Sequence, residues 1–136
     1  RAVEHHAARE PVVIGGKSMG GRVASMVADD LLASGRISGQ LCLGYPFRPP
    51  GKPDQIRTAH LRDLKSPTLI CQGTRDAFGT QEDVAGYVLS PRIEMLWLQD
   101  GDHDLRPRKR LTGLSAAAHL RTLADTVSAW TRGLVT

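Results

Sequence analysis

The stretch 11–22, PVVIGGKSMGGR, limits the possible folds of this chain more than any other. Val12, Val13 and Ile14 are consecutive and β-branched, which predicts a strand buried on both faces, as in a parallel sheet. Gly16-Lys17-Ser18-Met19-Gly20 then fits G-x-S-x-G, in which a serine sits on a sharp strand-to-helix turn with its hydroxyl above the sheet. A Cβ at either flanking glycine would be expected to meet neighbouring backbone in so tight a turn. A helix is predicted to follow over 22–33. Two other glycine loops are excluded by counting. A phosphate-binding G-x-x-x-x-G-K-[ST] needs glycine where Pro11 stands, and G-x-G-x-x-G fails because Lys17 and Ser18 lie two positions after Gly15 and Gly16.

The rest of the chain repeats the strand–helix alternation. Val23, Met26, Val27, Leu31 and Leu32 recur at helical spacing and predict an apolar stripe for the helix over 22–33, ended by Ser34-Gly35. A second strand is predicted over 40–47 (QLCLGYPF) and a short helix over 56–64. A third strand over 68–72 leads into Gly73-Thr74-Arg75-Asp76. A helix over 80–89 and a fourth strand over 93–98 (IEMLWL) lead into Asp100-Gly101-Asp102-His103-Asp104. A long helix over 115–132 places Ala118, Leu120, Leu123, Val127 and Trp130 on one stripe. Residues 2–9 read as the end of a helix. The expected class is α/β, a parallel sheet with helices on both faces.

In such sheets functional groups collect beyond the carboxyl ends of the strands. Ser18, Asp76 and His103 each follow a different strand at that end. A serine hydroxyl needs a base within hydrogen-bond reach, and that base needs a carboxylate to hold its tautomer. The order Ser, Asp, His is the one used by α/β-hydrolases. Ser18 is therefore the candidate nucleophile, Asp76 the acid and His103 the base. The Met19 N–H, at the start of a helix, is the expected oxyanion donor. Of the other candidates, His60 precedes Asp76 and breaks the order, and His119 falls mid-helix as a surface or packing residue. Asp100, Asp102 and Asp104 crowd the histidine itself. Tyr45, Phe47, Arg48 and Lys52, after the second strand, are expected to border the substrate site, the alternative being a proline-stiffened surface loop.

GGKSMGGRVASM, GYPFRPPGKP, PTLICQGTRDAFGT and WLQDGDHDLRPRK together resemble the α/β-hydrolase-like family of the KANL/TEX type, in the broader dienelactone-hydrolase-like group. The resemblance covers most of the chain from Pro11 onward. It implies the C-terminal portion of an α/β-hydrolase fold, a single partial domain without a cap, with Ser18, Asp76 and His103 as its triad. Dienelactone hydrolases proper carry a cysteine nucleophile, so Ser18 points to ester-type chemistry. A second oxyanion donor would come from the loop after an earlier strand, which this sequence does not include. A eukaryotic relative is a chromatin-complex subunit. Two classes therefore stand: a serine hydrolase acting on an ester or thioester, and a catalytically silent hydrolase-fold scaffold that binds a protein or ligand.

The 18 basic and 14 acidic residues leave a net charge of +4, a mild excess that does not imply nucleic acid. The dense run Arg106-Pro107-Arg108-Lys109-Arg110 lacks interleaved aromatics and reads as a solvated loop. No apolar run reaches the ~20 residues of a membrane span. The reading needs no cofactor and no metal. Adjacent His5 and His6 diverge on a helix, and the 100–111 segment has leucines where a calcium loop needs glycine and glutamate. Cys42 and Cys71 sit in apolar runs as buried thiols, in keeping with a cytoplasmic protein. Without a lid, the site is expected to be open to small esters.

Overall fold

A computed structural model of the chain describes residues 10–134. The predicted N-terminal helix and His5 and His6 lie outside the described residues. Four strands, β1 (Val13–Lys17), β2 (Gly39–Leu43), β3 (Thr68–Gly73) and β4 (Ile93–Leu98), form one parallel sheet in the order β1-β2-β3-β4. The register pairs Gly16 with Cys42, Cys42 with Ile70, and Ile70 with Met95. Helix α1 (Met19–Ala33) links β1 to β2, and a 3₁₀ turn (Ala59–Leu61) precedes β3. Helix α2 (Gln81–Ala85) precedes β4, which is followed by α3 (Lys109–Thr112) and α4 (Ala116–Gly133).

Strand parity assigns the faces. The Cys42 thiol reaches the Gly21 carbonyl of α1, whereas a Cβ on Gly39 would meet Trp130 and Leu134 of α4. Odd and even residues of β2 therefore face opposite helical layers, as alternation requires. All six residues of the central strand β3 are buried, as a parallel strand covered on both sides should be. The main core lies on the α1 face, where Cys42, Tyr45, Phe47, Leu61, Leu64, Ile70 and Val84 cluster. Burying a side chain the size of Phe47 contributes ~1.5–3 kcal/mol.

Several local expectations change. β1 is only half-buried, because it is the edge strand among the described residues. β2 stops at Leu43, where Gly44 adopts φ 66 and turns the chain. The helix expected over 56–64 is a single 3₁₀ turn, and the one expected over 80–89 ends at Gly86. The basic run is not all loop, since α3 begins at Lys109. On α4, Leu123, Val127 and Trp130 are half-buried, but Ala118 and Leu120 are exposed and His119 is buried. The His119 ring donates from Nε2 to the Gln99 carbonyl at 2.8 Å, tying α4 to the end of β4.

The largest correction concerns α1. It starts at Met19 rather than Arg22, and its buried face is Gly21, Ala24, Ser25 and Ala28. Val23, Met26 and Val27 are exposed by 56, 59 and 44%. The reason is distance. A Cβ on Gly16 would sit 2.5 Å from the Gly20 carbonyl carbon, and one on Gly21 would sit 2.9 Å from the Gly16 oxygen and 3.1 Å from Cys42 Cβ. A helix this close to its sheet accepts only small residues in the contact, so the larger apolar ones are turned outward. Gly20, expected to be equally confined, has open space around its Cβ position. Both thiols, Cys42 and Cys71, are buried and free, and burial pushes each up to about 12, so neither is reactive at neutral pH.

Asp29 of α1 ties the helix to the entrance of β3. Its carboxylate accepts from the backbone N–H of Lys65 (3.0 Å) and Ser66 (2.9 Å) and from the Ser66 hydroxyl (2.7 Å). Partial burial pushes its pKa up, but these hydrogen bonds outweigh it and hold the group below the usual carboxylate value.

Two measurements follow from this packing. Gly20→Ala should raise stability by up to about 1 kcal/mol through helix propensity, while Gly16→Ala should lower it by about 1–3 kcal/mol through overpacking, both read from urea midpoints. A depressed carboxylate stabilises the fold above its unfolded pKa and loses that contribution as pH falls through its folded value. Asp29→Asn should therefore lower stability at pH 7 by ~1 kcal/mol, and the gap to the parent should close as pH falls through the depressed folded value of Asp29.

Candidate active site

Ser18 occupies the single residue between β1 and α1. Its backbone is at φ 53 and ψ −120, a sparsely populated region that costs ~1–3 kcal/mol for a residue with a Cβ. Surrounding bonds hold it there. The Ser18 N–H donates to the Leu43 carbonyl (2.8 Å), and the Ser18 carbonyl accepts from the Arg22 N–H (3.1 Å). The corner thus fixes the serine to both β2 and its own helix.

Asp76 follows β3 and His103 follows β4, and the three side chains form one line. The Ser18 hydroxyl lies 2.8 Å from His103 Nε2, and His103 Nδ1 lies 2.9 and 3.1 Å from the two Asp76 carboxylate oxygens. A carboxylate can only accept, so Nδ1 carries the proton and Nε2 offers its lone pair to the serine. Asp76 is fully buried and also accepts from the Phe78 N–H at 2.8 Å. Burial pushes its carboxyl up, opposed by the hydrogen bonds from His103 and Phe78.

Several residues that position this line were not singled out from sequence. A Cβ on Gly44 would lie 2.8 Å from the His103 carbonyl oxygen and 3.4 Å from its ring, so bare backbone supports the imidazole. The Phe78 ring stacks beside His103 with centroids 4.2 Å apart. Gly73 lets the loops after β3 and β4 meet, since its Cβ would fall 2.1 Å from the Gly101 oxygen. Gln72 accepts from the Tyr45 N–H (2.8 Å) and donates to the Tyr45 and Gly79 carbonyls (both 3.1 Å). The only sequence signal for Gly44, Gly73 and Gln72 was glycine or a polar residue interrupting an apolar run, and Phe78 carried none.

The expected substrate-bordering residues fare differently. Tyr45 and Phe47 have fully buried side chains and belong to the core. Gly44 turns the chain inward, and Gln72 clamps it there. Arg48 is also structural: its Nε and one terminal nitrogen donate to Asp83 at 3.1 and 2.8 Å, joining the loop to α2. Lys52 is exposed in the turn beyond. Met19 is the first residue of α1, so its N–H is among the four helix donors without an intrahelical acceptor.

The acids near His103 have other partners. Arg108 pairs with Asp100 through its guanidinium and backbone N–H, and this pairing holds Asp100 far below the usual range. Asp102 accepts from the N–H of Asp104 and Arg106. Asp104 pairs with Lys17 at 2.6 Å. His60 is bonded to Ser25 and Tyr45. Among the described residues no group of His, Cys, Asp and Glu could hold a metal ion, and no helix is long and apolar enough to cross a membrane. A cleft of about 340 Å³ opens beside His103, with Leu43, Leu98, Leu105 and Leu123 as apolar walls and Lys17 and Arg106 at its edge.

Comparison with known proteins supports the fold. The chain superimposes on the esterase domain of a Rhodothermus marinus protein with a TM-score of 0.63 at 17% identity, covering 96% of this chain and 65% of that one. A thermophilic esterase from Thermogutta terrifontis, solved with malate bound, matches at 0.64 and 16% identity over 99% of this chain and 70% of its own. An alpha-beta serine hydrolase homologue from Coxiella burnetii matches at 0.55 and 24% identity over 76% and 46%. The chain thus spans roughly half to two thirds of the solved structures it matches. The profile of the family described as alpha/beta hydrolase domain matches residues 1–132, and the chain belongs to that family.

Proposed function

We propose that the chain carries the catalytic triad of a serine hydrolase that cleaves an ester or thioester through an acyl-enzyme. The observation that carries this reading is the unbroken hydrogen-bonded line from buried Asp76 through His103 to a serine held at φ 53. Strain of this kind collects at functional sites.

In the first step Ser18 Oγ attacks the carbonyl carbon while His103 Nε2 takes its proton. The C–O or C–S bond to the leaving group then breaks, and His103 returns the proton to the departing oxygen or sulfur. In the second step water attacks the acyl carbon, His103 accepts its proton, and Ser18 leaves as a free hydroxyl. Asp76 holds the imidazole in the required tautomer and offsets the charge of its protonated form. The Met19 N–H faces the developing oxyanion from a helix start, where the macrodipole also favours negative charge. The cleft beside His103 suits a small apolar group on the substrate. The four segments quoted above support placement in the KANL/TEX-type group, and two inert buried thiols suit a reducing cytoplasm. The partner in this reading is a small-molecule ester or thioester.

Incubating the full-length protein with a fluorophosphonate probe and mapping the labelled peptide should find the label on Ser18, with none in Ser18→Ala. Absence of label in a folded sample would favour the silent scaffold. Asp76→Asn should lower kcat/KM for 4-nitrophenyl acetate by about 10³–10⁴, because the amide holds the wrong imidazole tautomer.

A further inference from the structure

A cation close to Ser18 has a buried donor without a partner among the described residues. Arg22 lies one helical turn beyond the serine, and its backbone N–H donates to the Ser18 carbonyl. Its side chain is half-buried, and the buried Nε has no hydrogen-bond partner among the described residues. Several other charged side chains near the site are paired: Arg48 with Asp83, Arg75 and Arg108 with Asp100, and Lys17 with Asp104. An unpaired buried donor is destabilising, and one on a cation more so. Such a group calls for a partner outside the fold.

The surroundings fit an anion. Ser25, Tyr45 and His60 converge next to Arg22. The Ser25 hydroxyl donates to the Arg22 carbonyl (2.6 Å) and lies 2.7 Å from His60 Nε2, and Tyr45 OH lies 3.2 Å from the same nitrogen. Burial first, and then the Arg22 charge, lower the His60 pKa. Arg22 and Arg57 both act on Tyr45 to favour its ionised form, against the larger effect of burial. The positive charge of Arg22 is thus felt by both neighbours. A helical side chain leans toward the N-terminal end of its helix, which for Arg22 is the Ser18 end. A planar guanidinium with free donors matches a carboxylate in two-pronged fashion.

We infer that Arg22 anchors a carboxylate on the substrate, so that the preferred substrates are anionic esters, such as monoesters of short dicarboxylic acids. This rests on the reading of Ser18 as nucleophile. Arg22 is a specificity residue here, and Ser25, Tyr45 and His60 position the wall beside it.

The test uses the full-length protein and has two arms. The first compares kcat/KM for 4-nitrophenyl hydrogen succinate and for neutral 4-nitrophenyl butyrate. The anionic ester should be preferred by the parent. Arg22→Gln should reduce the anionic-to-neutral ratio by about 10- to 100-fold, and Arg22→Lys, which keeps the charge without the fork, should fall between. The second arm needs no turnover. Monomethyl succinate should bind Ser18→Ala, followed by chemical-shift titration, and should bind the Ser18→Ala/Arg22→Gln double variant at least about tenfold more weakly. Dimethyl succinate should not distinguish the two. An unchanged ratio in folded Arg22→Gln and Arg22→Lys would overturn the inference, as would equal binding of monomethyl succinate with and without Arg22. If neither ester is hydrolysed but the binding difference holds, the anion site stands and the hydrolase reading fails.

Discussion

The contact on which the rest of the structure depends is the approach of α1 to β1 at the corner carrying Ser18. Gly16 and Gly21 meet there with no room for a Cβ on either. That closeness has two effects. It aims the Ser18 hydroxyl over the carboxyl end of the sheet, and it forces the buried face of α1 to be built from glycine, alanine and serine. The parallel register then sets everything else. Because β2, β3 and β4 stack in sequence order beside β1, the loops after β3 and β4 fall within reach of that hydroxyl. Gly44 and Gly73 let those loops pack without a side chain between them.

Much of this was legible in the sequence, and for a physical reason. A parallel α/β sheet places every strand's carboxyl end on one side, so residues that follow strands can be grouped without knowing the structure. Ser18, Asp76 and His103 are grouped in that way, and the structure brings their side chains within hydrogen-bond distance. The packing of individual faces was not legible. Helical periodicity in α1 marks Val23, Met26 and Val27 as a stripe, but periodicity does not say how near the sheet lies, and here distance decides which face goes inward. The loop after β2 misled for a related reason. Tyr45 and Phe47 follow a strand end just as Asp76 does, yet Gly44 at φ 66 and the Gln72 side chain turn them into the core. A single side-chain amide bridging 27 residues leaves no local pattern to read.

Electrostatics around the site divides into structural carboxylate pairs and the buried Asp76–His103 pair. Asp100, Asp83 and Asp29 hold loops to their elements, each kept ionised by donors that outweigh any desolvation. Asp76 differs, since burial dominates and its carboxyl is pushed up. A carboxylate in that position has one strong way to remain charged, which is to keep its hydrogen bonds to His103 and Phe78. Burial of Asp76 therefore favours the imidazole orientation that leaves Nε2 facing Ser18.

The backbone of Ser18 carries an evolutionary consequence. Glycine would occupy φ 53 and ψ −120 without the penalty a Cβ brings. Variants of this chain selected only for resistance to heat or proteolysis would gain by exchanging the serine, and the hydroxyl would be lost in the process. A side chain at the least comfortable position of the corner is thus a mark of selection for something other than folding. Thermal hardening and retention of the hydroxyl pull this residue in opposite directions.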